Sequence, residues 1–484
     1  MGGMSIKKIR FIEPANNRYR VSPVNLYTYD KYIRTPSTGL LTLTTIVKEI
    51  VDDTLMYSES ISKVKWSDIF DADIVFIGIF TMNAPRGYEI ARYIKENSSA
   101  LVVMGGLHAS LNYAEAVEHC NYVLLGEGDE SILEFINAYE NNTPLDFPGM
   151  AYKDDNNALI YTGDRIPPHN IDTIPNRYLM YNFKKMAGHN TIWAQVHASR
   201  GCPHDCDYCA LVKHFGRKVR TRSPENVVED IRQGVAFFEE RLFKRVMRIL
   251  WITDDNFFAN RKWAIEVLNA IIDSGIKYNY TIQARYEVGL DDEMLVLLKK
   301  AGFVEVAFGI EFIDDESFEL YHKKSTREDI IKAIHNTQRH GLRTRGLFIL
   351  GADNHTKGIG TRLAAFILEN NIVEPVIQSM YFVPGTPVYE QSKNKLIHTN
   401  WEKYTGHVVH YPMNMTPAEL QQELITASAI VYSRKQLFRA LFSSDSARSF
   451  SARMTFLGEY FWQKSIRRDL KRELKELKNF TEKP

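Results

Sequence analysis

Cysteine is scarce in this chain, with four in 484 residues. A fold stapled by disulfides is therefore excluded, because such folds are cysteine-dense. Charge of one sign is also lacking: 60 Lys and Arg face 59 Asp and Glu, a formal net charge of +1. That balance argues against a protein that coats nucleic acid or another polyanion, although a local basic patch stays open. No apolar run reaches the roughly 18 residues that span a bilayer. The start, Met1-Gly-Gly-Met-Ser-Ile-Lys-Lys8, has no apolar signal region. It also lacks the Ser or Thr that myristoylation needs where Ile6 stands. These absences point to the cytoplasm. What remains is ordinary for a globular protein, 44% hydrophobic and 25% charged, and the length suits about two to four domains.

Three of the four cysteines lie together in Ser199-Arg-Gly-Cys-Pro-His-Asp-Cys-Asp-Tyr-Cys-Ala210. Cys202, Cys206 and Cys209 follow the spacing C-x3-C-x2-C. Three thiolates on one tight loop can hold three irons of a four-iron cluster and leave the fourth without a protein ligand. An open metal position is what a catalytic centre needs and a structural one avoids. The alternative is a zinc site completed by His204 or His214. Zinc ribbons usually pair two C-x2-C knuckles, however, and there is no second knuckle. Cys120 stands far off and reads as a small buried apolar residue.

The first 150 residues alternate between strand-like and helix-like segments. Lys8–Glu13, Ala72–Phe80, Ala100–Met104 and Tyr122–Leu125 read as strands. Residues 38–52, 85–97, 114–119 and 130–141 read as helices. The apolar run Ala72–Phe80 is typical of a strand buried on both faces. Such alternation predicts a doubly wound parallel sheet, an α/β fold whose ligands sit over the carboxyl ends of the strands. Residues 151–188, with Arg165-Ile-Pro-Pro-His-Asn-Ile-Asp-Thr-Ile-Pro175, are too proline-rich for regular structure and read as a linker. A second βα series fills residues 189–395, and its six repeats fit a partial (β/α)6 barrel with the active site at the strand ends. Residues 396–484 read as helical. Thr416-Pro-Ala-Glu419 forms a capping box that launches a helix through Lys435. Leu470, Leu474 and Leu477 make an apolar stripe that either docks on its own protein or meets a membrane or partner.

The cysteine spacing and the barrel-like series together resemble the radical S-adenosylmethionine (SAM) core. That resemblance implies a [4Fe-4S] cluster on Cys202, Cys206 and Cys209, and SAM chelated to the open iron. Reductive cleavage then yields methionine and a 5′-deoxyadenosyl radical. It places SAM contacts at Tyr208, Asp254, Asp255, Gln283, Arg285 and Glu311, with structural salt bridges at the barrel mouth as the alternative reading. A carboxylate suits the SAM ammonium, and a guanidinium suits its carboxylate. The first domain resembles the cobalamin-binding domain that precedes many such cores, whose pattern is D-x-H-x-x-G, S-x-L, then G-G. Gly105-Gly106 matches the last part, Gly78-Ile-Phe-Thr81 is a degenerate second, and the first is absent: Pro14-Ala-Asn-Asn-Arg-Tyr19 has no histidine. The implied cobalamin contacts are Thr81, Asn83, Gly105, Gly106, His108, Gly126 and Glu127. His108 is placed on a loop, either facing the corrin or bonded to backbone. The Trp401–Tyr404 stretch, with His407 and His410, resembles a post-core segment that helps close the substrate chamber; the two histidines could equally lie at the surface.

Two cofactors of this kind imply C-methylation at an unactivated carbon of a small molecule or lipid. The alternatives are cyclisation or rearrangement without methyl transfer, and a non-catalytic iron–sulfur sensor. A flavodoxin- or ferredoxin-type electron donor is implied. Nucleic acid is not expected as a partner: Lys218, Arg220 and Arg222 make only a short basic run, with no appended RNA-binding module.

Overall fold

The computed structural model describes residues 5–15, 36–181, 194–239, 249–442 and 450–480. The loop after the first strand, where the absent histidine motif belongs, continues outside the described residues.

The first sheet contains β1 (Lys8–Glu13), β2 (Asp53–Ser58), β3 (Ile74–Gly78), β4 (Leu101–Gly105), β5 (Tyr122–Leu124), β6 (Met150–Lys153) and β7 (Leu159–Tyr161). Their order is β2-β1-β3-β4-β5-β6-β7. β1 to β5 run parallel, and β6 and β7 add on antiparallel. The run Ile-Val-Phe-Ile of β3 is buried throughout because helices cover both faces of a doubly wound sheet. The helices Thr38–Lys48 and Gly128–Glu140 pack side by side. Ser37 caps the first of them by accepting from the Leu40 N–H.

β2 and the β6–β7 pair were not visible as strands in the sequence. β2 begins with an exposed Asp53, directly after an apparent helix. β7 has no buried residue, so it carries no burial pattern to read. Apart from Met150, the β6–β7 pair lies inside the stretch read as linker, residues 151–188. Arg165, just beyond it, is held by Glu130 and Glu134.

The second sheet holds β8 (Ala194–Val196), β11 (Ile249–Ile252), β12 (Asn279–Ala284), β13 (Phe303–Glu311), β14 (Arg343–Leu350) and β15 (Val376–Ser379). They lie in chain order and are all parallel. This is the expected partial barrel. β14 alternates buried and half-buried residues, as a strand does when one face looks into a lumen. A two-stranded ribbon, β9 (Ser199–Arg200) with β10 (Arg220–Thr221), flanks the cysteine segment.

Three helices finish the described chain: Pro417–Val431, Arg434–Phe442 and Phe450–Leu477. The Thr416–Glu419 capping box is formed. The helix it starts ends at Val431 rather than Lys435, and a new helix begins at Arg434. Leu470 and Leu477 are buried, and Gln421 donates to the Leu470 carbonyl at 3.1 Å. The leucine stripe therefore docks on its own protein. Among the described residues, no helix is long and apolar enough to cross a membrane.

Candidate functional site

Local backbone geometry shapes the cysteine loop. Gly201 adopts φ +92°, and a Cβ there would lie 2.5 Å from the Lys218 carbonyl oxygen, so only glycine fits. The Cys202 N–H donates to the Gly216 carbonyl at 3.3 Å, and the Cys209 N–H to that of Cys206 at 3.0 Å. All three cysteines are half-buried, whereas Cys120 is buried. Burial pushes the Cys209 thiol up to about 11 and raises that of Cys202, which faces Asn256 and Arg285. Thiolates here therefore need positive charge at the sulfurs, which iron would supply. Among the described residues, no three His, Cys, Asp or Glu side chains are grouped to hold one metal ion. A four-iron cluster spreads its ligands over separate irons and suits this wider set. His214 lies instead on the wall of a neighbouring cavity.

The residues expected at SAM divide into two groups. Tyr208 stands edge-on to Phe312 and Tyr321. Burial raises its phenol, with Glu311 and Cys206 beside it. Glu311 ends β13 at φ +68°, a strained conformation for a non-glycine residue of the kind that clusters at functional sites. Its carboxylate lies 3.8 Å from Lys323 Nζ. Lys323 is buried, donates to the Gly309 carbonyl at 2.7 Å, and feels Arg285 and Cys206. Arg285 is fixed by Glu287 and the Lys324 carbonyl. Gln283 is half-buried next to last in β12. The cysteine loop and the ends of β12 and β13 thus converge.

Asp254 differs. Its Oδ1 accepts from the Ala198 N–H at 2.7 Å and its Oδ2 from Ser199 Oγ at 2.6 Å. Both oxygens are used to brace the strand that enters the cysteine loop. Asp255 accepts from the Gly201 N–H at 3.3 Å, and burial pushes it up to about 6. Lys323 and Asn256 were missed in the sequence. Lys323 belongs to a Lys-Lys pair that looks like a solvated turn, and nothing in its neighbours marks it as buried.

A cavity of about 490 Å³ opens between the strand ends of the first sheet and the residues that flank the cysteine loop, Arg200, Leu211, His214 and Phe215. Its walls include Phe11, Leu40, Leu43, Phe76 and Ile132, with Gly78, Gly105, Gly106 and Gly126 at the strand ends. Gly106 has φ +93°, and a Cβ there would sit 2.8 Å from the Ile79 carbonyl oxygen. Five polar side chains on the wall carry buried atoms without a hydrogen-bond partner: Glu13 Oε2, His197 Nε2, His214 Nδ1, Arg222 Nε and Asp230 Oδ1, the last of which is ion-paired with Arg177. Glu13 Oε1 accepts from the Ser37 N–H, and burial pushes its carboxyl up to about 7. Burial and Arg200 hold His197 at about 3 and His214 at about 4, so both imidazoles are neutral. An apolar cleft with a few orphaned polar atoms fits a large organic group that brings its own hydrogen-bonding groups.

Gly105, Gly106, Gly126 and Glu127 line this cavity. The Glu127 carboxylate is not free, however. Arg200 holds it at 2.6 Å and Arg220 at 2.5 Å, while Arg200 also reaches Asp129 at 2.8 Å. Glu127 clamps the first domain to the ribbon beneath the cysteine loop. Thr81, Asn83 and His108 are not among the lining residues. Asn83 accepts from the Phe80 N–H and donates to the Pro14 carbonyl. His108 lies in a short helix, Leu107–Leu111, rather than on a loop, and is fully buried. Its Nδ1 meets Thr81 Oγ1 at 3.2 Å, its Nε2 lies 3.6 Å from Glu115, and its ring is edge-on to Trp401. Trp401 Nε1 donates to Glu115 at 2.8 Å. These residues seal the seam where the post-barrel segment returns to the first domain. His407 faces Glu473 at 3.3 Å, and His410 meets the Gly351 carbonyl at 3.2 Å. Both histidines are buried and belong to packing.

A cysteine loop thus follows the first strand of a half-barrel, next to a cavity built largely by the strand ends of a doubly wound sheet. Residues 196–358 match the family model described as the Radical SAM superfamily. The chain is 26% identical over 380 residues to bacteriochlorophyllide d C-12(1)-methyltransferase of Chlorobaculum tepidum, covering 77% of this chain and 78% of that one. It is 24% identical to the hopanoid C-3 methylase of Methylococcus capsulatus, covering 76% of this chain and 70% of that one. Its fold matches the radical SAM methyltransferase TsrM of Kitasatospora setae, whose structure contains cobalamin and a [4Fe-4S] cluster. The TM-score is 0.69 at 14% identity, over 97% of this chain and 100% of that one.

Proposed function

We propose that this chain is a cobalamin-dependent radical SAM C-methyltransferase that acts on an unactivated carbon of an apolar small molecule, of the lipid or tetrapyrrole kind. The observation that carries the reading is the cavity of the first sheet, whose wall also takes in Arg200 and Leu211 on either side of the three-cysteine loop, with Glu127, Arg200 and Arg220 tying the two parts together. When bound, the cluster supplies the electron that cleaves SAM, and the corrinoid supplies the methyl group. Residues 1–150 serve as the corrinoid domain, 151–188 as the connection, 189–395 as the radical core and 396–484 as its helical cover.

Cys202, Cys206 and Cys209 are assigned to the cluster. Tyr208, Arg285, Glu311 and Lys323 are assigned to SAM: the two cations suit its carboxylate and the carboxylate of Glu311 its ammonium or ribose. Asp254 is assigned to positioning the loop, because both of its carboxylate oxygens already accept hydrogen bonds from the strand that enters it. The neutral imidazoles of His197 and His214 and the Glu13 carboxyl offer hydrogen bonds to the group that fills the cavity. The apolar walls of the cavity keep water from the group that fills it. Electrons come from a small flavodoxin- or ferredoxin-type donor.

The test is anaerobic preparation with cobalamin, followed by iron, sulfide and corrinoid counts and then transfer of label from methyl-labelled SAM. About four irons and one corrinoid per chain, with label in a product, are expected. Iron without corrinoid overturns methyl transfer through cobalt. Both cofactors without label in any product favour cyclisation or rearrangement.

A further inference from the structure

The helix Arg434–Phe442, Arg-Lys-Gln-Leu-Phe-Arg-Ala-Leu-Phe, plays no part in the site described above. Ala440 is buried and Leu437 and Leu441 are half-buried, so this face packs inward. The opposite face exposes Arg434, Lys435, Phe438, Arg439 and Phe442. Phe438 is 66% exposed and Phe442 73%. They stand one helical turn apart with ring centroids 5.5 Å from each other. The helix contains no acidic residue, and among the described residues no carboxylate pairs with its three cations. Three positive charges in nine residues are a local concentration in a chain whose formal net charge is +1.

Two large aromatic rings left in water, ringed by long cationic side chains, imply a partner that takes both. We propose that this face docks the protein on an anionic lipid bilayer. The phenyl rings enter the boundary between headgroups and acyl chains, while the guanidinium and ammonium groups stay with the lipid phosphates. The two rings lie against each other rather than splayed, which favours insertion as one apolar wedge over stacking with separate nucleobases. The inference uses neither cofactor, so it stands or falls apart from the methyltransferase reading.

The test is vesicle flotation of the full chain, with phosphatidylcholine vesicles and with equal parts phosphatidylcholine and phosphatidylglycerol. Co-flotation with the anionic vesicles only, weakened by salt, is expected. The double change Phe438→Ser with Phe442→Ser is expected to cut the partition at least about tenfold. The triple change Arg434→Gln, Lys435→Gln and Arg439→Gln is expected to cut it on the order of a hundredfold. Because all five side chains face solvent, thermal melts of both variants should match the parent. No anionic-vesicle binding, or binding that both variants retain, overturns the proposal. So does a change confined to oligomeric state by light scattering, which would make the face a contact between two copies. Preferential binding of single-stranded RNA that both variants lose would also overturn it.

Discussion

Single residues set two measurable properties of this molecule. Glu459, on the helix Phe450–Leu477, is buried near Glu305, Glu374 and Arg345. Desolvation and the two like charges push its carboxyl from 4.5 to about 8. With the folded value above the unfolded one, the carboxyl favours folding fully below pH 4.5, and that contribution disappears as pH rises through about 8. Replacing it with an isosteric neutral amide removes the cost of ionisation. Glu459→Gln should therefore melt higher than the parent at pH 8 and close to it at pH 4.5, by differential scanning fluorimetry across that range. A parent whose melting temperature is no lower at pH 8 relative to the variant would show that Glu459 titrates normally. Gly106 is the second case. A side chain there meets the Ile79 carbonyl at 2.8 Å in a backbone conformation of φ +93°. Gly106→Ala should destabilise the chain by about 1–3 kcal/mol, read as a lowered urea midpoint.

At the level of elements, the ribbon β9–β10 is where the two sheets are joined. Arg200 and Arg220 belong to it, and both grip Glu127 at the start of the helix Gly128–Glu140. Arg220 also donates to the Pro168 and Phe215 carbonyls, so the guanidinium has other acceptors if the carboxylate goes. Arg200 keeps Asp129. Even so, removing one partner of a buried charge network strands the others, and the cost is typically about 3–5 kcal/mol. Glu127→Ala should fall in that range by chemical denaturation. It should also lower iron retention in reconstituted protein, because the ribbon carries the cysteine loop. Asp129→Asn, which leaves Glu127 in place, should do less of both. Equal loss in the two variants would mean that the pair acts as generic charge rather than as a clamp.

Across the whole molecule, legibility in the sequence followed locality. The cysteine loop and the alternation of strands and helices are written in short windows, so the two-sheet architecture was readable. The roles of Glu127 and His108 were not. Glu127 takes its partners 73 and 93 residues away, and His108 is covered by Trp401 from beyond the barrel. Glycines at strand ends could be read because they serve their own backbone; polar residues beside them could not, because distant segments decide what they bond. The same separation leads to a reciprocal test. The thiols stand on the half-barrel and the glycine cradle on the first sheet, so the two cofactors should load independently even though the reaction needs both. The triple change Cys202→Ala, Cys206→Ala and Cys209→Ala should abolish iron binding and leave the corrinoid spectrum near one equivalent. Gly105→Ile should do the reverse. A Cβ at Gly105 meets nothing closer than the Leu124 carbonyl at 3.5 Å, so the backbone tolerates it, and the added branches take up cavity space. Label transfer from SAM should fall to background in both variants. Loss of both cofactors from either variant, with melting unchanged, would mean that the cluster and the corrinoid share one site rather than facing each other across two.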